Sequence, residues 1–197
     1  MYMSYIMHDH YFKKAKDEGY RARSAYKLKM IQEKFHLIQP KDRVLDLGAA
    51  PGSWIQVVLE YLGNQGNILG VDLEAIESLR DRRAEVMIGD VYDAETQHII
   101  ASYGLYSVII SDMAPKTTGS KITDQARSLA LVEQVFCIAT QCLMRGGSVC
   151  AKIFEGPDVQ LFVKSISDEY AIVSLFKPKA SRGESFETYI IAQKKKV

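Results

Sequence analysis

Four short apolar runs, each closing on a glycine or an aspartate, set the strongest limit on what this chain can fold into. Arg43–Leu47 runs into Gly48, and residues 67–71 run into Asp72. Residues 85–88 run into Gly89-Asp90, and residues 106–110 into Ser111-Asp112. Helical patterns occupy 53–62, 124–144 and 157–169, with further strands at 148–154, 171–176 and 186–193. Strands alternating with helices predict an α/β fold with a mostly parallel seven-stranded sheet and helices on both faces. In such sheets ligands bind beyond the carboxyl ends of the strands. Gly48, Asp72, Asp90 and Asp112 are therefore expected to converge on one crevice. Each acid taken singly also fits a helix cap or a turn.

The 197 residues suffice for one α/β domain and fall short of two with a linker. Residues 1–12 are read as a tail and 13–197 as a single domain. No run of 18 apolar residues suggests a membrane span, and the first ten residues lack the pattern of a secretion signal. A cytoplasmic location and a monomer are expected. Cys137, Cys142 and Cys150 have apolar neighbours and no zinc-like spacing, so they are read as buried free thiols, and no metal site is expected. His8 and His10 flank Asp9 in the tail, where disorder is the expectation.

The formal net charge is only +1. Residues 13–34, however, carry eight Lys/Arg against three acids. Such a stretch is either a grip for phosphates or a solvated helix face. Lys177, Lys179 and Arg182 form a second basic group, and Lys194-Lys195-Lys196 are read as adding affinity for phosphates or merely solubility.

The loop Asp46-Leu47-Gly48-Ala49-Ala50-Pro51-Gly52-Ser53-Trp54 links the first strand to the first following helix. It is a poor dinucleotide fingerprint, because Ala50 stands where the middle glycine is needed. No Lys-Ser/Thr follows, so it is not a nucleoside-triphosphate loop. Asp72, 24 residues after Gly48, is placed to accept from both hydroxyls of a ribose, and Asp90 to meet an adenine amino group. An adenosine ligand without a pyrophosphate fits, and S-adenosylmethionine is one.

That loop, Ser-Asp-Met-Ala-Pro (111–115) and Ala-Lys-Ile-Phe-Glu-Gly (151–156) together resemble the FtsJ family of ribose 2′-O-methyltransferases. Arg-Ser-Ala-Tyr-Lys-Leu (23–28) and Phe-Glu-Thr-Tyr-Ile (186–190) match in the same order, so the resemblance covers roughly residues 10–193. One departure is Ser53, where bacterial members commonly carry a second glycine; serine there is suited to cap the helix. The resemblance implies a Rossmann-like class I methyltransferase that uses S-adenosylmethionine. It implies cofactor contacts at Gly48, Gly52, Trp54, Asp72, Asp90 and Asp112. It implies a catalytic set of Lys27, Asp112, Lys152 and Glu187, in which Asp112 steadies Lys152 and Glu187 holds Lys152 or Lys27.

The residues themselves speak unequally for that set. A lysine inside the apolar run Val149-Cys150-Ala151-Lys152-Ile153-Phe154 must be paired, reach solvent, or serve chemistry. Asp112 is either a site acid or an ordinary acid of a strand-end turn. Alternation puts Glu187, Tyr189 and Ile191 on one face of the last strand. Lys27 is promoted by resemblance alone. The expected substrate is a uridine of large-subunit (23S-type) ribosomal RNA within the large ribosomal subunit. Transfer RNA, an mRNA cap, and an inactive RNA-binding role in ribosome assembly are the alternatives. A small-molecule O-methyltransferase is disfavoured, since His36 and His98 lie outside the motifs and no metal cluster is evident.

Overall fold

The computed structural model describes residues 2–180 and 186–196, with the backbone alone over 2–9. Arg182 therefore lies outside the described residues. In chain order the elements are α1 (Tyr2–Asp17), α2 (Ala25–Phe35), β1 (Arg43–Leu47), α3 (Ser53–Tyr61), β2 (Asn67–Asp72), β3 (Ala84–Ile88) and α4 (Ala94–Ser102). Then come β4 (Tyr106–Ser111), α5 (Lys121–Cys142), β5 (Leu143–Phe154), α6 (Val159–Ile166), β6 (Tyr170–Phe176) and β7 (Glu187–Lys195). The seven strands form one sheet in the order β3-β2-β1-β4-β5-β7-β6. β1, β2, β3, β4 and β5 are parallel, and β7 lies antiparallel between β5 and β6. This is the expected Rossmann-like α/β architecture.

The alternation along each strand explains the two cores. Leu45, Leu47, Ile109, Val149 and Ile153 point to the face covered by α4, α5 and α6. Val44, Ile110, Cys150, Tyr189 and Ile191 point to the face covered by α2 and α3. Because the central strands are buried on both sides, they read as continuous apolar runs. Lys152 pairs in register with Tyr189, and Phe154 with Glu187, so these side chains share the α2/α3 face.

Several elements depart from the sequence reading. α4 was not foreseen; Asp93 caps it, accepting from the Thr96 N–H at 3.0 Å. β5 begins at Leu143 rather than at Ser148, because the chain re-enters the sheet through a bulge. The pairing jumps from Tyr106↔Leu143 to Val108↔Ser148, and Gly146 sits at φ 80° in between. α1 begins inside the stretch set apart as a tail. Cys142 and Cys150 are buried, but Cys137 is exposed, on the solvent side of α5. Lys195 is buried rather than solvent-facing. Its ammonium donates to the carbonyls of Ala139, Thr140 and Leu143, satisfying acceptors at the end of α5. No described helix is long and apolar enough to cross a membrane.

Candidate active site

A crevice of about 460 Å³ opens beyond the carboxyl ends of β1, β2, β3 and β4. Gly48, Ala50, Asp72, Glu74, Asp90, Tyr92, Asp112 and Met113 are among the residues lining it. The four strand-end residues expected to converge do so. Position and anchoring both follow from the backbone. The Asp72 carboxylate accepts from the Ala50 N–H and the Glu74 N–H, one on each oxygen, both at 2.9 Å. Asp90 accepts from the Tyr92 N–H at 2.9 Å. Both acids are thus held by turns they themselves organise. Gly48 has φ 78°, and a Cβ there would run into the Met113 side chain, so this turn requires glycine twice over.

Two residues of the expected cofactor set do not line the crevice. Gly52, at φ 101°, forms the turn before α3 and is shielded by the Arg21 guanidinium. Trp54 is buried against Tyr189, with ring centroids 5.9 Å apart, and its indole N–H donates to the Ser24 carbonyl. Their contribution is to the shape of the loop and the bracing of the site. Ser53 does not cap α3; its hydroxyl lies 2.9 Å from that of Ser24.

Behind the crevice, which it meets through Asp112, the four-residue set is assembled. The Lys152 ammonium lies 3.0 Å from Asp112 Oδ1 and also donates to the Asp112 carbonyl. The Lys27 ammonium lies 2.7 Å from Glu187 Oε2. Lys27 comes from α2, Asp112 from just past β4, Lys152 from β5 and Glu187 from the start of β7. Both lysines are nearly buried, at 6% and 7% exposure, which rules out the solvent-reaching reading of either. Lys152 also lies on an interior strand. Glu187 holds Lys27, which settles the choice the sequence left open.

Each charge is balanced across the cluster. Burial by itself pushes the Asp112 carboxyl up. The Lys152 and Lys27 ammoniums, with the Tyr189 hydroxyl, outweigh it and hold Asp112 below its ordinary value. Burial also opposes ionisation of Glu187, and Lys27 followed by Lys152 holds it ionised. Among the described residues, two cations and two anions therefore pack closely, each beside an opposite charge. Together they can orient a hydroxyl and stabilise negative charge as it develops on oxygen.

Three contributors were missed in the sequence. Tyr189 donates to Asp112 Oδ1 at 2.7 Å, and burial first, then Asp112, keeps the phenol protonated. Its place two residues after Glu187, on the same face, was a usable signal. Asp46, an acid within an apolar strand, is fully buried with neither oxygen hydrogen-bonded. Burial, then Asp112 and Asp72, pushes its carboxyl well above the ordinary value. Arg21 donates to the carbonyls of Pro51, Glu77 and Ser78, tying the basic N-terminal stretch to the loops after β1 and β2. Nothing in the sequence marks it. Arg21, Lys27 and Lys29, the last paired with Glu60 at 3.0 Å, show that much of the basic stretch serves internal contacts.

The chain matches the FtsJ-like methyltransferase family over residues 20–195. It is 47% identical over 185 residues to the Ribosomal RNA large subunit methyltransferase E of Oleidesulfovibrio alaskensis, covering 93% of this chain and 89% of that one. It is 42% identical over 193 residues to the protein of the same name from Syntrophobacter fumaroxidans, covering 98% of each. Among solved structures it superposes on a ribosomal RNA methyltransferase from Plasmodium falciparum with a TM-score of 0.79 and 25% identity, covering 89% of this chain and 98% of the other.

Proposed function

The chain belongs to the FtsJ-like methyltransferase family, and on that premise we propose that it transfers a methyl group from S-adenosylmethionine to a ribose 2′-hydroxyl of large-subunit ribosomal RNA. The observation that carries this reading is the buried Lys27–Glu187 and Lys152–Asp112 cluster at the edge of the crevice. The names of the relatives, which specify ribosomal RNA, support the substrate class.

The crevice fits the cofactor. Each Asp72 oxygen keeps a lone pair beyond the one its backbone partner uses, so the pinned carboxylate can accept from two vicinal ribose hydroxyls. Asp90 is held at the position suited to an adenine amino group. The turn at Gly48, which admits no side chain, lets a ligand approach the backbone closely. When bound, S-adenosylmethionine supplies an electrophilic methyl carbon already activated on a sulfonium.

The protein's own residues then have a defined task. Asp112 takes two of the three ammonium donors of Lys152, one on its carboxylate and one on its carbonyl, and so fixes where the third can point. That third donor orients the 2′-oxygen and stabilises the negative charge gathering on it, while the hydroxyl proton passes to solvent water as the methyl is transferred. Tyr189 keeps Asp112 from rotating away. The Lys27–Glu187 pair adds a second cation whose field reaches Asp112.

The test is labelled-methyl transfer onto ribosomal subunits, free ribosomal RNA, transfer RNA and a small phenol in parallel, followed by nucleoside analysis. A 2′-O-methylated nucleoside from the large subunit or its RNA is the expected product. A base-methylated product, or transfer to the phenol alone, would sink the reading; product confined to transfer RNA would replace its substrate.

For the cofactor site, Asp72→Ala is expected to weaken S-adenosylmethionine binding about tenfold or more, since it removes a charged acceptor and releases two loops. Calorimetric titration measures this, and wild-type affinity in the variant would refute the assignment of the adenosine end.

A further inference from the structure

Phe186 is a large aromatic side chain left 40% exposed immediately before Glu187. Its surroundings hold it in place. Its ring meets buried Phe154 edge-to-face, with centroids 5.9 Å apart and planes at 81°. Its carbonyl accepts from the Glu155 N–H at 2.7 Å, and the Glu155 carbonyl accepts in turn from the Gln125 amide. The Lys121 ammonium, from the first residue of α5, lies 5.9 Å from the ring centroid. Glu155, the nearby acid, is offset by Lys177 at 3.5 Å.

The strand register places it beside the chemistry. Phe154 lies opposite Glu187, and Lys152 lies opposite Tyr189. Phe186 directly precedes the carboxylate that holds Lys27, and its ring packs on Phe154, two residues beyond Lys152 on the same face of β5. Hydrophobic burial does not explain it, since the ring caps the strand end rather than entering either core. The exposed Lys121 ammonium lies over the ring, so the same π-face that draws a cation can receive an unpaired base once that side chain turns to a phosphate. Stacking tolerates any base, so it suits a site whose reaction is on the sugar.

We propose that Phe186, with Lys121 beside it, is a base-stacking subsite that receives an unpaired nucleobase at, or next to, the ribose presented to Lys152. It acts by holding the nucleotide splayed from its neighbours, so that the 2′-oxygen faces the lysine. The inference rests on the RNA 2′-O-methylation reading and adds the element that positions the nucleotide.

Three variants test it: Phe186→Ala, Phe186→Leu and Phe186→Trp. The KM for RNA should rise about tenfold or more in Phe186→Ala, with a smaller fall in the saturating rate, given what one stacked base contributes. Phe186→Leu should remain impaired, because it restores bulk without a π-face, and Phe186→Trp should recover wild-type KM. A short single-stranded RNA carrying 2-aminopurine should be quenched on the wild type and less so on Phe186→Ala. A wild-type KM and undiminished quenching in Phe186→Ala would overturn the proposal, as would full rescue by leucine. If the wild type itself makes no 2′-O-methylated RNA, the functional reading has failed. If it does and Phe186→Ala matches it, only the stacking subsite has.

Discussion

Lys152→Met should lower single-turnover methyl transfer by roughly 10²–10⁴-fold, the range expected for losing a positioned proton-transfer or charge-stabilising group. Methionine keeps an unbranched stem of similar reach, so packing against the neighbouring strands is largely preserved. What disappears is the ammonium that the proposed function sets against the attacking oxygen. Asp112 keeps the Tyr189 hydroxyl and the field of Lys27, which limits the cost of leaving it without its nearest cation. Cofactor affinity, which the proposed site assigns chiefly to Asp72, Asp90 and the Gly48 turn, should change far less than the rate, because Lys152 meets the crevice only through Asp112. Single-turnover rates with saturating cofactor, alongside calorimetric binding and a thermal melt, separate the terms. A variant that is folded, binds cofactor and retains more than about a tenth of the wild-type rate would show that Lys152 is not the group that activates the hydroxyl.

Asp46→Asn is the change with the largest expected effect on stability, and the expected sign is a gain. The carboxylate is wholly buried, has no hydrogen-bond partner, and sits in the negative field of Asp112 and Asp72. Leaving a buried polar atom unsatisfied costs about 1–3 kcal/mol, and more for a charged group. Asparagine keeps the shape and removes the charge. The pH dependence follows from the direction of the shift. The folded-state pKa lies above the unfolded value, so the wild-type contribution is fully present below the unfolded pKa and is lost as pH rises through the folded one. Asparagine does not titrate, so the advantage of the variant should widen with rising pH. Denaturant unfolding of the ligand-free protein at about pH 5 and about pH 8 measures both terms. A variant less stable than wild type at both values would mean that Asp46 has a partner that offsets its burial. A gain in stability together with weaker cofactor binding is the pattern of a residue kept for function at the expense of the fold.

Both predictions concern acids and lysines in or beside central strands, and the two were not equally legible. Lys152 announced itself, because a lysine in an otherwise apolar run cannot be indifferent to its surroundings. Asp46 stood in the same kind of run, Val44-Leu45-Asp46-Leu47, and was passed over in favour of the glycines after it. Asp72, Asp90 and Asp112 were legible from topology, since a parallel sheet brings its strand ends to one side. Lys27 was not, because a lysine on a basic helix looks like any solvated residue. Its burial and its pairing with Glu187, 160 residues away, depend on α2 folding back over β5 and β7.

The class of fold, the crevice and the residue types of the site are legible along the chain. Those follow from local periodicity and from where each strand ends, which a chain encodes within a few residues. Packing in three dimensions sets which lysine meets which acid, that Tyr189 braces Asp112, and that Trp54 and Gly52 stand behind the crevice rather than in it. It also decides that Arg21, Lys29 and Lys195 are spent on internal contacts. The physical reason is that periodicity specifies the face a side chain occupies but not the element packed opposite. Strand order and helix placement arise from burying both faces of the sheet at once. The four residues Lys27, Asp112, Lys152 and Glu187 become one cluster only when β7 inserts antiparallel beside β5 and α2 closes over both.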